Sequence, residues 1–227
     1  MKILNKTSYM VALLIALFSC VFLLASCSQA KTNGPIELTD LSGRTITLDA
    51  PAERVAALSA ADCEILSALD AEDKIIARGT YCDYPESVKN IKDVGSGELT
   101  NIEELIATKP DVVLMSKTGF TLDQVNTMEN AGLKTLVNEA NTFEDTYSYI
   151  KQLGKLVGKS SEAEALVSSM KKSVDEFSAK TSGKEQKTVY FQLCLPQHGY
   201  WTAGANTFMN EMAQILHCKN VFDDVEG

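Results

Sequence analysis

The chain predicts an α/β fold built on a parallel sheet, on three observations. Short apolar runs at 55–58, 74–77 and 112–115 carry no polar alternation, as strands buried on both faces do. Helical patterns with their own start signals lie between those runs. Strand and helix alternate along the chain, so the helices serve as crossovers and the loops at the strands' carboxyl ends are available to a ligand.

The elements follow in order. Lys2 and Lys6 make a basic start and residues 10–25 are almost wholly apolar. The run is short for a complete bilayer span, and Leu24-Ala-Ser-Cys27 resembles a bacterial lipobox, so a signal is expected to be removed and Cys27 to receive a lipid. Residues 28–35 are polar and read as a flexible tether. Residues 36–39 alternate, turn at 41–44 and alternate again at 45–48, which predicts a hairpin with one buried face. Ser59 is placed to cap a helix through Cys63, Ile65, Leu66 and Leu69. Thr100-Asn-Ile-Glu103 has capping-box spacing for the next helix, and Pro110 stops it.

After the third run, Leu122, Val125 and Met128 mark a helix ended by Gly132, and residues 134–137 a further strand. Thr142 caps a helix with Phe143, Tyr147, Ile150, Leu153 and Val157 on one stripe, ended by Gly158. Ser161-x-x-Glu164 is expected to open a long helix to about Lys180, with Ala165, Leu166, Ser169, Met170, Val174 and Phe177 inward. A strand over 188–193, a loop over 194–204, a helix capped by Asn206 or Thr207 and a short element at 220–223 complete the chain.

Composition narrows the function. The 227 residues hold 30 acidic against 21 basic side chains, a net charge of -9, with no basic cluster. Nucleic acid is therefore not an expected partner, because phosphate binding needs concentrated Lys and Arg. No Gly-x-Ser-x-Gly elbow, His-Glu-x-x-His or phosphate-cradling loop is present, and no His precedes residue 198, so an anchored enzyme is the weaker class. Cys194-x-x-x-His198 and His217-Cys218 lack regular zinc-ligand spacing, so no metal site is expected.

Several segments carry a resemblance in their order and spacing: Arg54-Val55, residues 59–64, Tyr81-Cys-Asp-Tyr-Pro85, Val94-Gly95, Asn101-Ile-Glu103 and Lys109-Pro-Asp-Val-Val113. From about Leu38 onward the chain resembles the substrate-binding lipoproteins of ABC importers for iron-siderophores, haem and cobalamin. The tyrosine-rich 81–85 segment leans toward the cobalamin type.

The resemblance implies a two-lobed periplasmic-binding fold with a single long bridging helix. It divides the chain into a signal peptide (1–26), an anchored tether (27–35), an α/β lobe with a leading hairpin (36–158), the bridging helix (159–183) and the start of a second lobe (184–227). That lobe is expected to be incomplete, because one or two strands and one helix do not close a core.

The ligand implied is cobalamin, haem or a ferric siderophore, a metal chelate carried as cargo with no resident cofactor. Ser59, Ala60, Tyr81, Gly95, Ser96 and Gly97 would face it from the first lobe and Trp201 from the second. For Tyr84 and Tyr200, core or rim packing competes with a ligand role. The sequence departs from the family at Cys63, where Thr is usual, and at Gly97, where some cobalamin binders carry a bulky aromatic. Glu103 resembles the acidic residue that docks on permease arginines, and the capping box offers it a second role. Partners implied are the permease and ATPase of an importer and the membrane through the lipid. The location implied is extracytoplasmic, as a monomer. Once Cys20 is lost with the signal and Cys27 is lipidated, Cys63, Cys82, Cys194 and Cys218 allow three pairings. Pairing within each half and free thiols both stay open.

Overall fold

The computed structural model describes residues 34–40 and 43–226. The leader 1–26, Cys27, the tether to residue 33 and turn residues 41 and 42 lie outside the described residues. Among the described residues no helix is long and apolar enough to cross a membrane. From residue 35 onward the described residues form one compact unit.

The leading hairpin pairs β1 (Ile36–Thr39) with β2 (Thr45–Leu48), antiparallel, with Ile36 opposite Leu48. Its alternation works as expected: Ile36, Leu38 and Leu48 are buried and Glu37 and Thr47 face outward. The main sheet is parallel, in the order β4-β3-β5-β6, built from β3 (Val55–Ala57), β4 (Ile75–Arg78), β5 (Val112–Ser116) and β6 (Thr135–Asn138). Strand β4 starts one residue later than its apolar run, because Lys74 closes a 3-10 turn and turns its ammonium to Glu53 at 2.8 Å.

Helices cover both faces. They are α1 (Ala60–Ala68), α2 (Ile102–Ala107), α3 (Leu122–Asn130), α4 (Phe143–Val157), α5 (Ser160–Thr181) and α6 (Phe208–Ile215). Val55, Ala57, Val112 and Leu114 point to a core shared with α1, α4 and the hairpin. Ala56, Val113 and Met115 point to the opposite core, with Leu105 of α2 and Val125 and Met128 of α3. Two covered faces are why the strands read as unbroken apolar runs.

Three expectations are corrected. The α2 cap is Asn101, whose Oδ1 accepts the Glu104 N–H at 3.0 Å, and not Thr100. Thr100 is drawn one step back, its own N–H closing a 3-10 turn on Gly97 O at 3.1 Å. Helix α5 starts at Ser160 without a side-chain cap, and its inward stripe is Ala163, Leu166, Val167 and Met170. Ala165, Ser169 and Phe177 are exposed, because Ala163 packs against Gly154 of α4 and fixes which face turns in. The expected 188–193 strand is only β7 (Thr188–Val189), paired in parallel with β8 (Lys219–Asn220), since the partner supplies two residues.

Candidate functional site

The chain leaves β3 toward β4 on one side and reaches β5 and β6 on the other. The carboxyl ends of β3 and β5 therefore border the point where the winding reverses, where open α/β sheets place a ligand crevice.

Three loops build the crevice. After β3, Leu58 N–H bonds Leu114 O at 2.9 Å, and Ser59 caps α1. The Ser59 hydroxyl donates to Asp62 Oδ2 at 2.7 Å, and the Tyr149 hydroxyl donates to Asp62 Oδ1 at 2.6 Å. Asp62 is completely buried. Burial pushes its carboxyl above the usual range, and the bonds from Ser59 and Tyr149 offset part of that. Burial likewise raises the Tyr149 phenol, with the neighbouring Asp62 adding to it.

After β4, Gly79 lies where a Cβ would stand 2.3 Å from Leu58 O and 2.7 Å from Ser96 Oγ, so only glycine lets the loop close on both. Thr80 N–H then bonds Ser96 Oγ at 2.8 Å. Asp93 Oδ1 gathers the Thr80 hydroxyl at 3.1 Å and the Gly95 N–H at 2.9 Å. Arg78 is spent here: its guanidinium donates to Gly79 O at 3.0 Å and meets Asp93 Oδ2 at 3.4 Å. Arg54 caps the far end of the sheet through Thr108 O at 2.5 Å and Lys109 O at 2.9 Å. Neither arginine lines the crevice.

The third loop follows β5. Gly97 has φ +56, and a Cβ there would come within 3.0 Å of Gly119 O, so the two loops touch backbone to backbone. Gln124 of α3 holds Gly97 O at 2.9 Å.

The result is a depression of about 400 Å³ that brings together Ser59, Ala60, Tyr81, Ser96 and Gly97. Its other wall, Ser116, Thr118, Gly119 and Phe120, was not singled out from sequence; the signal for it was its position at the carboxyl end of a buried strand. A second depression of about 480 Å³ continues along the β5 and β6 ends, lined by Asn138 and Asn141 and by the ion pair of Lys117 with Glu139. Gly95 stands behind the wall, against Leu99. Tyr81 is 78% exposed, open to a partner.

Trp201 does not join this wall. It is 67% exposed, and its indole N–H donates to His198 O at 3.1 Å. Glu103 is exposed in the first turn of α2, while its neighbour Glu104 pairs with Lys92. Cys63, Cys82, Cys194 and Cys218 are free thiols, and no metal-ligand cluster occurs among the described residues.

Residues 55–226 match the periplasmic binding protein family. The chain belongs to that family. An uncharacterised ABC transporter substrate-binding lipoprotein of Bacillus subtilis is 31% identical over 229 residues, covering 93% of this chain and 72% of the relative. The vitamin B12-binding protein of Salmonella typhi is 27% identical over 173 residues, covering 76% of this chain. The chain spans 64% of that relative's length. A crystal structure from Staphylococcus epidermidis, described as a possible iron-binding periplasmic solute-binding protein, superposes with a TM-score of 0.68 at 29% identity, covering 78% of this chain and 69% of the other. The parallel sheet with helices on both faces is the fold of its structural neighbours.

Proposed function

We propose that this periplasmic binding protein family member is an extracytoplasmic receptor, anchored through Cys27, that delivers a metal-chelate small molecule to the permease and ATPase of an ABC importer. It acts as a monomer, without nucleic acid and without catalysis. A corrinoid is the favoured cargo. The observation that carries this is the make-up of the crevice wall: hydroxyls from Ser59, Ser96, Ser116 and Thr118, rings from Tyr81 and Phe120, and no charged side chain. Flat rings and neutral hydrogen-bonding groups suit a large amide-fringed macrocycle. An anionic siderophore calls for arginines, and Arg54 and Arg78 are both committed to backbone carbonyls. The names of the B12-binding relatives support the same cargo.

The iron-chelate reading is favoured by the Staphylococcus likeness. Haem would need an axial Tyr81 or His198. Trp201 would close the crevice from the second lobe, with α5 as the bridge.

One experiment separates these. The full chain is titrated with cyanocobalamin, haem and an anionic ferric catecholate siderophore, read by quenching of Trp201, the only tryptophan. Saturable quenching by cyanocobalamin alone is expected. Quenching by the ferric chelate alone would transfer the reading to iron, and none by any of the three would sink it.

A further inference from the structure

Cys63 and Cys82 are completely buried and share one acceptor. The Sγ of each donates to Ala57 O, at 3.8 Å and 3.6 Å. A carbonyl oxygen has two lone pairs, so one oxygen can take both thiols, and the two sulfurs converge on it. The two thiols interact across this shared oxygen, which raises Cys63 and lowers Cys82, leaving Cys82 the readier thiolate. Their positions matter to the crevice. Cys63 lies in α1, one turn below Ser59 and Ala60, and Cys82 follows Tyr81 directly. No other feature of the site uses either thiol.

We propose that Cys63 and Cys82 are an oxidation site, converted by an organic disulfide into an internal disulfide that clamps the Tyr81 loop to the first helix. The Cys82 sulfur attacks one sulfur of the reagent, forming a mixed disulfide and releasing one thiol. The Cys63 sulfur then attacks the Cys82 sulfur and releases the second. The two cysteines are oxidised, the reagent is reduced to two thiols, and those thiols carry the two protons. Access runs through opening of the 79–85 loop, whose Tyr81 and Tyr84 are exposed. The effect on cargo rests on the proposed binding reading; the cross-link itself does not.

The test uses the full chain purified in reductant. One sample is exchanged natively into oxidised glutathione, and another is refolded from urea in a glutathione redox buffer. One cross-linked peptide pair bearing Cys63 and Cys82, two hydrogens lighter than the sum of the two reduced peptides, is the expected result in the refolded sample and, more slowly, in the native one. The cross-link closes a loop of moderate length, so the melting temperature should rise by roughly 6–12 °C. Cys63→Ser and Cys82→Ser should each abolish that rise and leave the other member of the pair carrying a glutathione adduct. Refolded protein with adducts at both cysteines but no cross-link, or with either joined to Cys194 or Cys218, overturns the proposal. So does refolded protein with both thiols unmodified. Reduced protein that fails to bind cyanocobalamin overturns the cargo reading and leaves the oxidation site standing.

Discussion

Every residue of β3 and residues 112–115 of β5 are buried, whereas β7 and β8 hold two residues each and bury only Asn220. The first region is a sheet with a helical layer on each face, so its apolar side chains have no route to water. The second holds itself by polar anchors. Asn220 Nδ2 donates to Ala203 O at 2.7 Å, and Ala205 N–H bonds Val225 O at 2.6 Å. It docks on the first through the start of α4, where Phe208 stacks on Phe143 at 4.5 Å and Glu211 accepts the Phe143 N–H at 2.8 Å. A carboxylate at a helix N-terminus is well placed electrostatically. Tyr190, Leu193, Leu195, Val221 and Val225 remain exposed. The same apolar residue types thus serve as interior in one region and as surface in the other, according to whether a second layer covers them.

The largest expected effect tests that difference directly. Leu114→Ala removes a fully buried side chain from the central strand and should cost about 2–5 kcal/mol in urea denaturation. Val221→Ala removes one that is 46% exposed and should cost less than about 1 kcal/mol. Equal losses would mean the two regions share one core.

The same contrast explains what the sequence made legible. Residues 55–58 and 112–115 announced themselves because both faces are covered, which leaves an apolar run with no interruption. Residues 188–193 look similar on paper, yet only Thr188 and Val189 pair, because strand formation there depends on a distant partner that supplies two residues. Ser59 was readable as a cap, and only the resemblance put it with Ala60, Tyr81, Ser96 and Gly97; the structure lines one depression with these five. The wall from Ser116 to Phe120 was not legible, since serine, glycine and threonine in a loop carry no pattern until the strand beneath them is known. Asp62 was missed for another reason. Its partner Tyr149 is 87 positions away, and only the fold brings a carboxyl and a phenol together.

Asp62 gives the next prediction. Its folded pKa lies above the usual 3.8, because burial penalises the carboxylate. The native state therefore holds its proton more tightly than the unfolded chain does. The stability this contributes is fully present below pH 3.8 and is lost as pH rises through the folded value. Asp62→Asn keeps an acceptor for Tyr149 and cannot ionise. It should stay within about 1 kcal/mol of the parent in acid, as an exchange of one neutral hydrogen-bonding group for another does. It should then exceed the parent at neutral pH. Denaturation midpoints across the pH range check this. A parent and variant with parallel pH curves would show that Asp62 titrates alike in both states. The sheet region would then owe nothing to the ionisation state of this buried carboxyl.

The smallest expected effect on folding belongs to Glu103, and it bears on where each region does its work. The sequence offered Glu103 two roles, helix capping and docking, and the first is taken away by the structure: Asn101 Oδ1 holds the Glu104 N–H, and α2 is capped without Glu103. Its side chain is exposed and lies outside the crevice wall. Glu103→Arg therefore breaks no cap and empties no pocket. What remains is a cation placed at the positive end of a helix, which costs about 0.3–1 kcal/mol. Quenching of Trp201 by cyanocobalamin should be unchanged. If the proposed docking on permease arginines is right, charge reversal replaces attraction with repulsion, and uptake in cells should fall to background while binding persists. Glu103→Gln, which removes the charge without reversing it, should fall between the two. Loss of ligand binding in Glu103→Arg would place this residue with the crevice, and undiminished uptake would remove it from the docking surface. Either outcome would leave the sheet region with one functional edge, the carboxyl ends of β3 to β6.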